Sequence, residues 1–139
     1  MLIEARIESR RQSHAVVLAT DGSSRTLSIA PRDGGPGSSV NGGELLCLAL
    51  ATCYCNDLYR EAARRGIAVV RVAVEARAQF DASGEPARSL GYRADVVACA
   101  TEDEIRELMM HTDRVAEVQA TLRRGMAVRF DMGIAQREA

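Results

Sequence analysis

The sequence predicts an α+β domain, and three observations carry that prediction. Segments with period-two alternation of apolar and charged residues cluster at the start of the chain and again in its middle. Between them runs one long helical stretch, Asn41 to Arg65, whose centre is almost continuously apolar. A second helical region, opened by a capping signal, follows the later strands. Strands grouped apart from helices and joined as hairpins mean antiparallel sheet rather than the parallel sheet of alternating βα units. At 139 residues the chain, 1–139, makes one domain with enough core to need no disulfide staples.

Composition removes several function classes. Eighteen basic residues, every one an arginine, face 19 acidic ones, a net charge of -1, so no overall field favours nucleic acid or an anionic membrane. The arginines are scattered and lack the interleaved aromatics of a single-strand binder. The opening MLIEARIESRRQ carries charges within ten residues and no apolar segment of signal-peptide length, which predicts a cytoplasmic protein. Four cysteines, three of them inside one helix, do not form the framework of a small secreted domain. Free thiols are expected.

In order, Ile3, Ala5 and Ile7 alternate with Glu4, Arg6 and Glu8 in a half-buried strand from Leu2 to Ser9, and Gln12 to Thr20 reads as its partner. Turns at Ser9-Arg10-Arg11-Gln12 and Asp21-Gly22-Ser23-Ser24 place a third strand at Arg25 to Ala30. PRDGGPGSSVNGG, from Pro31 to Gly43, has five glycines, two prolines and no hydrophobic period. It is read as a loop, and no Gly-Lys-Ser/Thr follows to make it a phosphate loop.

The helix comes next. Its first half is apolar on every side and is expected to be buried all round, while Arg60, Glu61, Arg64 and Arg65 form an exposed later face before Gly66 stops it. Its run of about ten apolar residues falls short of the roughly 20 that span a bilayer. Val69 to Phe80 and Arg88 to Ala100 alternate again around the turn chemistry of Asp81 to Ala87, predicting a hairpin. Thr101-Glu-Asp-Glu104 is a capping box, its acids at the positive end of the next helix. That helix is expected to break near Thr112, resume from Val115 to Leu122 and end at Gly125. Met126 to Met132 reads as a last strand and Gln136 to Ala139 as a frayed tail.

This order, together with GGELLCLALATCYCNDL, resembles the OsmC/Ohr family, the osmotically induced and organic-hydroperoxide-resistance proteins. Glu44-Leu45-Leu46, Ala49, Ala51 and Cys53 match the family's ELLLAALAxC motif in order and spacing. The resemblance implies an antiparallel sheet packed on a long buried central helix, a second broken helix and an intertwined homodimer. It places Cys53 at the reactive position, where in peroxidase members a thiolate held by an Arg and a Glu attacks a hydroperoxide and a second-helix cysteine resolves the sulfenic acid. Attack on the O–O bond requires the thiolate.

The rest of that machinery departs from the pattern. Aligning Val118, Leu122 and Gly125 with the family's CPxSxxL…G segment puts Ala116 where the resolving cysteine belongs and Glu117 where the proline stands. The acid ten residues before the reactive cysteine falls on Gly43. Glu44 is nine before Cys53, half a turn out of phase, and reads as an N-terminal helix charge. Cys55 lies roughly 200° around the helix and Cys47 about 9 Å along it, so neither pairs with Cys53 without unwinding. Cys99, a thiol of another subunit or a small-molecule thiol remains as resolver.

Each singled-out residue also has a plain reading. Cys53 is otherwise a buried inert cysteine, with its pKa raised unless a cation compensates. Arg32 in the glycine loop is the candidate cation, Arg25 the alternative, and a solvated side chain the plain reading of both. Cys55 reads as packing. A metal site from Cys53, Cys55 and His111 is disfavoured because a helical C-x-C splays its thiolates, so no metal or cofactor is assigned. His111 reads as a surface residue near the helix break.

Two functions follow from the resemblance. One is thiol-dependent hydroperoxide reduction, or a related redox stress function, through Cys53 with an external resolving thiol. The other is a non-catalytic relative that binds a small apolar ligand at the dimer interface. Both take a homodimer and a small molecule as partners, without nucleic acid or membrane.

Overall fold

A computed structural model describes residues 1–138; Ala139, the end of the expected tail, lies outside the described residues. The elements are β1 (Ile3–Arg10), β2 (Ser13–Thr20), β3 (Ser23–Thr26), α1 (Gly42–Arg64), β4 (Ala68–Gln79), β5 (Ser89–Cys99), α2 (Glu102–Val115) and α3 (Glu117–Arg124). The fold is α+β, as the segregation of strands from helices predicts. Two compact units divide it: Met1–Leu48 with Arg77–Leu90, and Ala49–Ala76 with the chain from Gly91 onward.

In the first unit β1, β2 and β3 form an antiparallel meander, with Ile3 opposite Thr20, Ile7 opposite Val16, and Thr20 opposite Ser23. The third strand begins at Ser23, not Arg25. Asp21 and Gly22 both take positive φ, 48° and 81°, the two-residue turn whose twist matches the strands, so pairing resumes at the next residue. Asp21 Oδ1 also accepts the Leu2 N–H at 2.8 Å. The glycine loop is fastened at both ends: the Arg32 N–H donates to the Gly37 carbonyl at 2.9 Å and the Gly37 N–H to Ser9 Oγ at 3.2 Å. Asn41 and Glu44 then cap α1 reciprocally, the Asn41 N–H donating to Glu44 Oε2 at 2.8 Å and the Glu44 N–H to Asn41 Oδ1 at 2.9 Å.

Helix α1 follows the expected distribution of burial only in part: Leu50 of the first half is buried and Arg60, Arg64 and Arg65 are exposed, as expected, but two residues depart from it. Leu48, in its apolar first half, is 57% exposed in the single chain, whereas Tyr54, Leu58 and Ala62 of the later half are buried. Glu61, expected on the exposed face, is buried with them. An apolar girth shows that a helix wants cover on all sides; which turns receive it depends on what the rest of the chain can reach.

The core of the second unit is Tyr54, Leu58 and Ala62, spaced i, i+4, i+8, with Leu108 of α2. Val72 and Val74 of β4 and Tyr92, Ala94 and Val96 of β5 close over it. At the start of β4 it is Val69 that packs there, while Val70 is exposed. Gly66, at φ 67°, ends α1 in a Schellman motif, the Ile67 N–H reaching the Ala62 carbonyl at 2.9 Å and the Gly66 N–H the Ala63 carbonyl at 3.1 Å. Ile67 then packs on the core, the hydrophobic contact that accompanies this cap.

Thr101 and Glu104 form the expected capping box of α2. The break, however, falls at Ala116, where ψ is 116°, and not near Thr112. Thr112 is fully buried, its hydroxyl donating to the Leu108 carbonyl at 2.8 Å inside an unbroken turn. Met126 to Met132 is a second correction: it pairs with no strand among the described residues, and Val128 and Phe130 stand 96% and 85% exposed. Period-two patterning prepares a segment for a ladder but supplies no partner edge. No helix among the described residues is long and apolar enough to cross a membrane.

Candidate functional site

Three chemically capable side chains converge in the second unit. Cys53 and Asp57 are one turn apart on α1, and Glu117 is the first residue of α3, brought there by the break at Ala116. The Cys53 thiol donates to Asp57 Oδ2 at 3.6 Å, with Glu117 Oε2 4.0 Å from the sulfur. Arg60, a further turn along α1, holds Asp57 Oδ1 at 2.7 Å and lies 3.9 Å from Glu117 Oε1. Gln119 fixes the register of α3 on α1 by donating from Nε2 to the Leu50 carbonyl at 3.0 Å. The far side of the helix pair is tied by Asp113, which accepts from Arg123 at 2.7 Å and from the Tyr92 hydroxyl.

The electrostatics keep the sulfur protonated. Burial pushes the Cys53 thiol above its ordinary pKa; the Val118 backbone N–H at the start of α3 opposes this, and the Asp57 and Glu117 carboxylates add to it. Burial, and then the negative charge of Glu117, also raise the Asp57 carboxyl, against the pull of Arg60. The site therefore holds one thiol and two acids against one guanidinium.

Cys53, Asp57 and Glu117 offer ligand atoms within 4.8 Å of one another, close enough for a divalent cation to bridge. Such an ion would have to compete with Arg60, which already occupies one oxygen of Asp57. His111, expected at the surface, is part-buried instead, with Nε2 3.1 Å from Glu61 Oε2. Cys47, Cys53, Cys55 and Cys99 are all free thiols, Cys99 exposed at the end of β5. Arg32 and Arg25 are exposed side chains of the first unit. Glu44 is the partner of Asn41 in the helix cap, in keeping with a helix-terminal role. Ala116 is fully buried, immediately before the acid that reaches Cys53.

Asp57, Arg60 and Glu117 are the site residues that sequence reading missed. Asp57 had a local signal, since an acid at i+4 from Cys53 lies on the same helical face as the thiol. Arg60, three residues further, had the same one. Glu117 had none, because 64 residues separate it from Cys53.

The family model described as OsmC-like protein matches residues 35–131. No curated protein matches the sequence. Among solved structures, an OsmC-like protein of Mycoplasma pneumoniae superposes with a TM-score of 0.59 at 16% identity, covering 86% of this chain and 87% of the other. An OsmC-like protein of unknown function from Vibrio cholerae gives 0.60 at 16% identity, covering 86% and 92%. The organic hydroperoxide resistance protein OsmC of Legionella pneumophila gives 0.59 at 22% identity, covering 88% and 90%. With most of its length matched by the family model and the same α+β fold in each of these structures, this chain belongs to the OsmC-like family.

Proposed function

We propose that this protein reduces organic hydroperoxides through Cys53, as a cytoplasmic thiol-redox protein of the oxidative stress response. The observation that carries the proposal is the setting of that thiol: part-buried on α1, facing the Val118 N–H at the start of α3, and in contact with Asp57 and Glu117, which Arg60 bridges. In the reaction Cys53–SH and ROOH give Cys53–SOH and ROH, and an external thiol R′SH then condenses with the sulfenic acid, releasing water and leaving a mixed disulfide. A second R′SH restores the free Cys53 and leaves R′S–SR′. The partner thiol is taken as external in this proposal because Ala116, where the resemblance puts the resolving cysteine, carries no sulfur and Cys99 is a free thiol.

The working form in this proposal is a homodimer. Leu48 of α1, Ile3 and Ile7 of β1 and the unpaired Val128 and Phe130 are all more than half exposed in the single chain, apolar surface that a second copy would cover. Size-exclusion chromatography with light scattering should give twice the chain mass, and a stable monomer at micromolar concentration would count against this part.

Cumene hydroperoxide followed by sulfenate trapping and peptide mapping should label Cys53, and Cys53→Ser should abolish the label. Absence of any modification at excess peroxide would overturn the peroxidase reading. It would favour binding of a small apolar ligand without thiol chemistry, the alternative supported by the fact that both charged groups in contact with the sulfur are carboxylates. A ligand-induced melting shift that survives Cys53→Ala would then be expected.

A further inference from the structure

We propose that Asp57 is the proton carrier of this site, taking the Cys53 thiol proton as the sulfur attacks and returning it to the alkoxide that leaves. The inference rests on the reading of Cys53 as the attacking thiol. The geometry singles out this acid from the two in contact with the sulfur. Asp57 Oδ2 faces Sγ at 3.6 Å while Oδ1 is held by Arg60 at 2.7 Å, so one oxygen is anchored and the other is aimed at the thiol. The Asp57 side chain is 6% exposed and Glu117's is 65%, and Glu117 is the more distant at 4.0 Å. A buried, clamped carboxylate can stay aimed through a reaction; an exposed side chain with one more rotatable bond loses that order to entropy.

The need for a carrier follows from the same surroundings. Burial and two acids hold the sulfur protonated, so little thiolate exists at neutral pH and attack has to remove the proton as the S–O bond forms. The Sγ lone pair attacks the hydroxyl oxygen of ROOH, the S–O bond forms and the O–O bond breaks with its electron pair on RO⁻. The thiol proton passes to Asp57 Oδ2 and then to RO⁻. Sulfur ends as sulfenic acid, the peroxide as ROH, and Asp57 again as a carboxylate. The charged groups facing Asp57 are Arg60 and Cys53 on α1 and Glu117 on α3; Glu117 raises its carboxyl and Arg60 lowers it. That balance suits a group that must both accept and give back a proton.

Two rates measured at Cys53 test the proposal, each by quantitative peptide mapping so that the other cysteines do not contribute. Iodoacetamide alkylation reports thiolate, and oxidation by cumene hydroperoxide reports the reaction. Asp57→Asn removes a negative neighbour and should speed alkylation at neutral pH, yet slow peroxide oxidation by about tenfold or more. Asp57→Glu should restore part of the oxidation rate. A purely electrostatic role for Asp57 would speed both reactions in Asp57→Asn, and that outcome, or an unchanged oxidation rate, overturns the inference while leaving Cys53 as the attacking thiol. A wild-type protein that peroxide never oxidises overturns the reading of Cys53 and this inference with it. The unmodified chain supplies a check that needs no variant. Its oxidation rate should rise as Asp57 ionises in the acidic range and level off toward neutral pH; a rate that climbs only as the thiol itself ionises in alkali would assign the step to free thiolate and sink the role of Asp57.

Discussion

Asp57 and Glu61 stand one turn apart on α1, both buried and both bonded to Arg60, yet their carboxyls are pushed in opposite directions. The hydrogen bond from Arg60 is the largest influence on Glu61 and lowers its pKa against burial, with further help from His111 and Arg64. Burial is the largest influence on Asp57 and raises its pKa, reinforced by Glu117, with Arg60 alone among nearby cations opposing it. What separates them is the inventory around each: Glu61 has two guanidiniums and an imidazole, while Asp57 has one guanidinium, a thiol and a second acid. A buried acid matched by cations serves to pin elements together. One left with surplus negative charge is poised to exchange a proton, the pattern that marks reactive sites.

The largest change expected is loss of the frame that both acids share. Leu58 is fully buried between them in sequence, and Leu58→Ala should cost about 2–5 kcal/mol of stability by chemical denaturation. If the cost is well under 1 kcal/mol, the packing of Leu58 against Leu108 does not hold the helix as described.

Stability against pH then separates the two acids directly. A carboxyl lowered by folding stabilises above its unfolded pKa, and that contribution is lost as pH falls through the folded value. A carboxyl raised by folding does the reverse: the folded state binds the proton more tightly, so stability declines as pH rises from the ordinary aspartate value, about 3.9, through the raised one. Wild type should therefore lose stability relative to Glu61→Gln on acidification, and gain it relative to Asp57→Asn over the window between those two aspartate values. Melting curves from acid to neutral pH read both slopes, and parallel slopes for the two variants would erase the contrast. In the same samples Glu61→Gln should leave Cys53 alkylation nearly unchanged.

Ala116→Cys asks whether the second helix pair faces the Asp57 side of α1. With Ala116 adjacent to Glu117, a thiol there should form a peroxide-induced disulfide with Cys53, provided the Cα atoms lie about 4.4–6.8 Å apart, while the unmodified chain forms none. A native Cys53–Cys99 disulfide on peptide mapping would instead assign the resolving role to Cys99. The smallest effect is expected far from either acid, at the start of the same helix: Asn41→Ala removes a side-chain cap worth about 1 kcal/mol, and a stability unchanged by it would mean that water replaces the Asn41 carbonyl at no cost.

The local features were readable because their signals act within a few residues. The Thr101–Glu104 capping box, the stop at Gly66, the pairing of the first two strands and the hairpin of β4 and β5 follow from backbone chemistry and from period. The family motif around Cys53 was readable for the same reason, since ELL…A…A…C is a pattern along one helix. The third strand starts two residues earlier than expected because the Asp21-Gly22 turn is tighter than the four-residue turn expected, and it ends at Thr26 instead of Ala30.

By itself the sequence determined the α+β class, the elements that cap themselves and a thiol at the centre of the longest helix. Tertiary structure alone decided that Leu48 is exposed and Glu61 buried on α1, where the second helix breaks, and that Glu117 meets Cys53 across 64 residues of chain. Periodicity states which face of an element is apolar, but not which other element will reach that face. Glu61 shows the consequence: in sequence it is one more charge on a polar turn, and only Arg60, Arg64 and His111 gathered around it make its burial affordable. Asp57, one turn away with the same charge, acquires the opposite bias because its burial is opposed by Arg60 alone among nearby cations, and α3 adds a second acid to it.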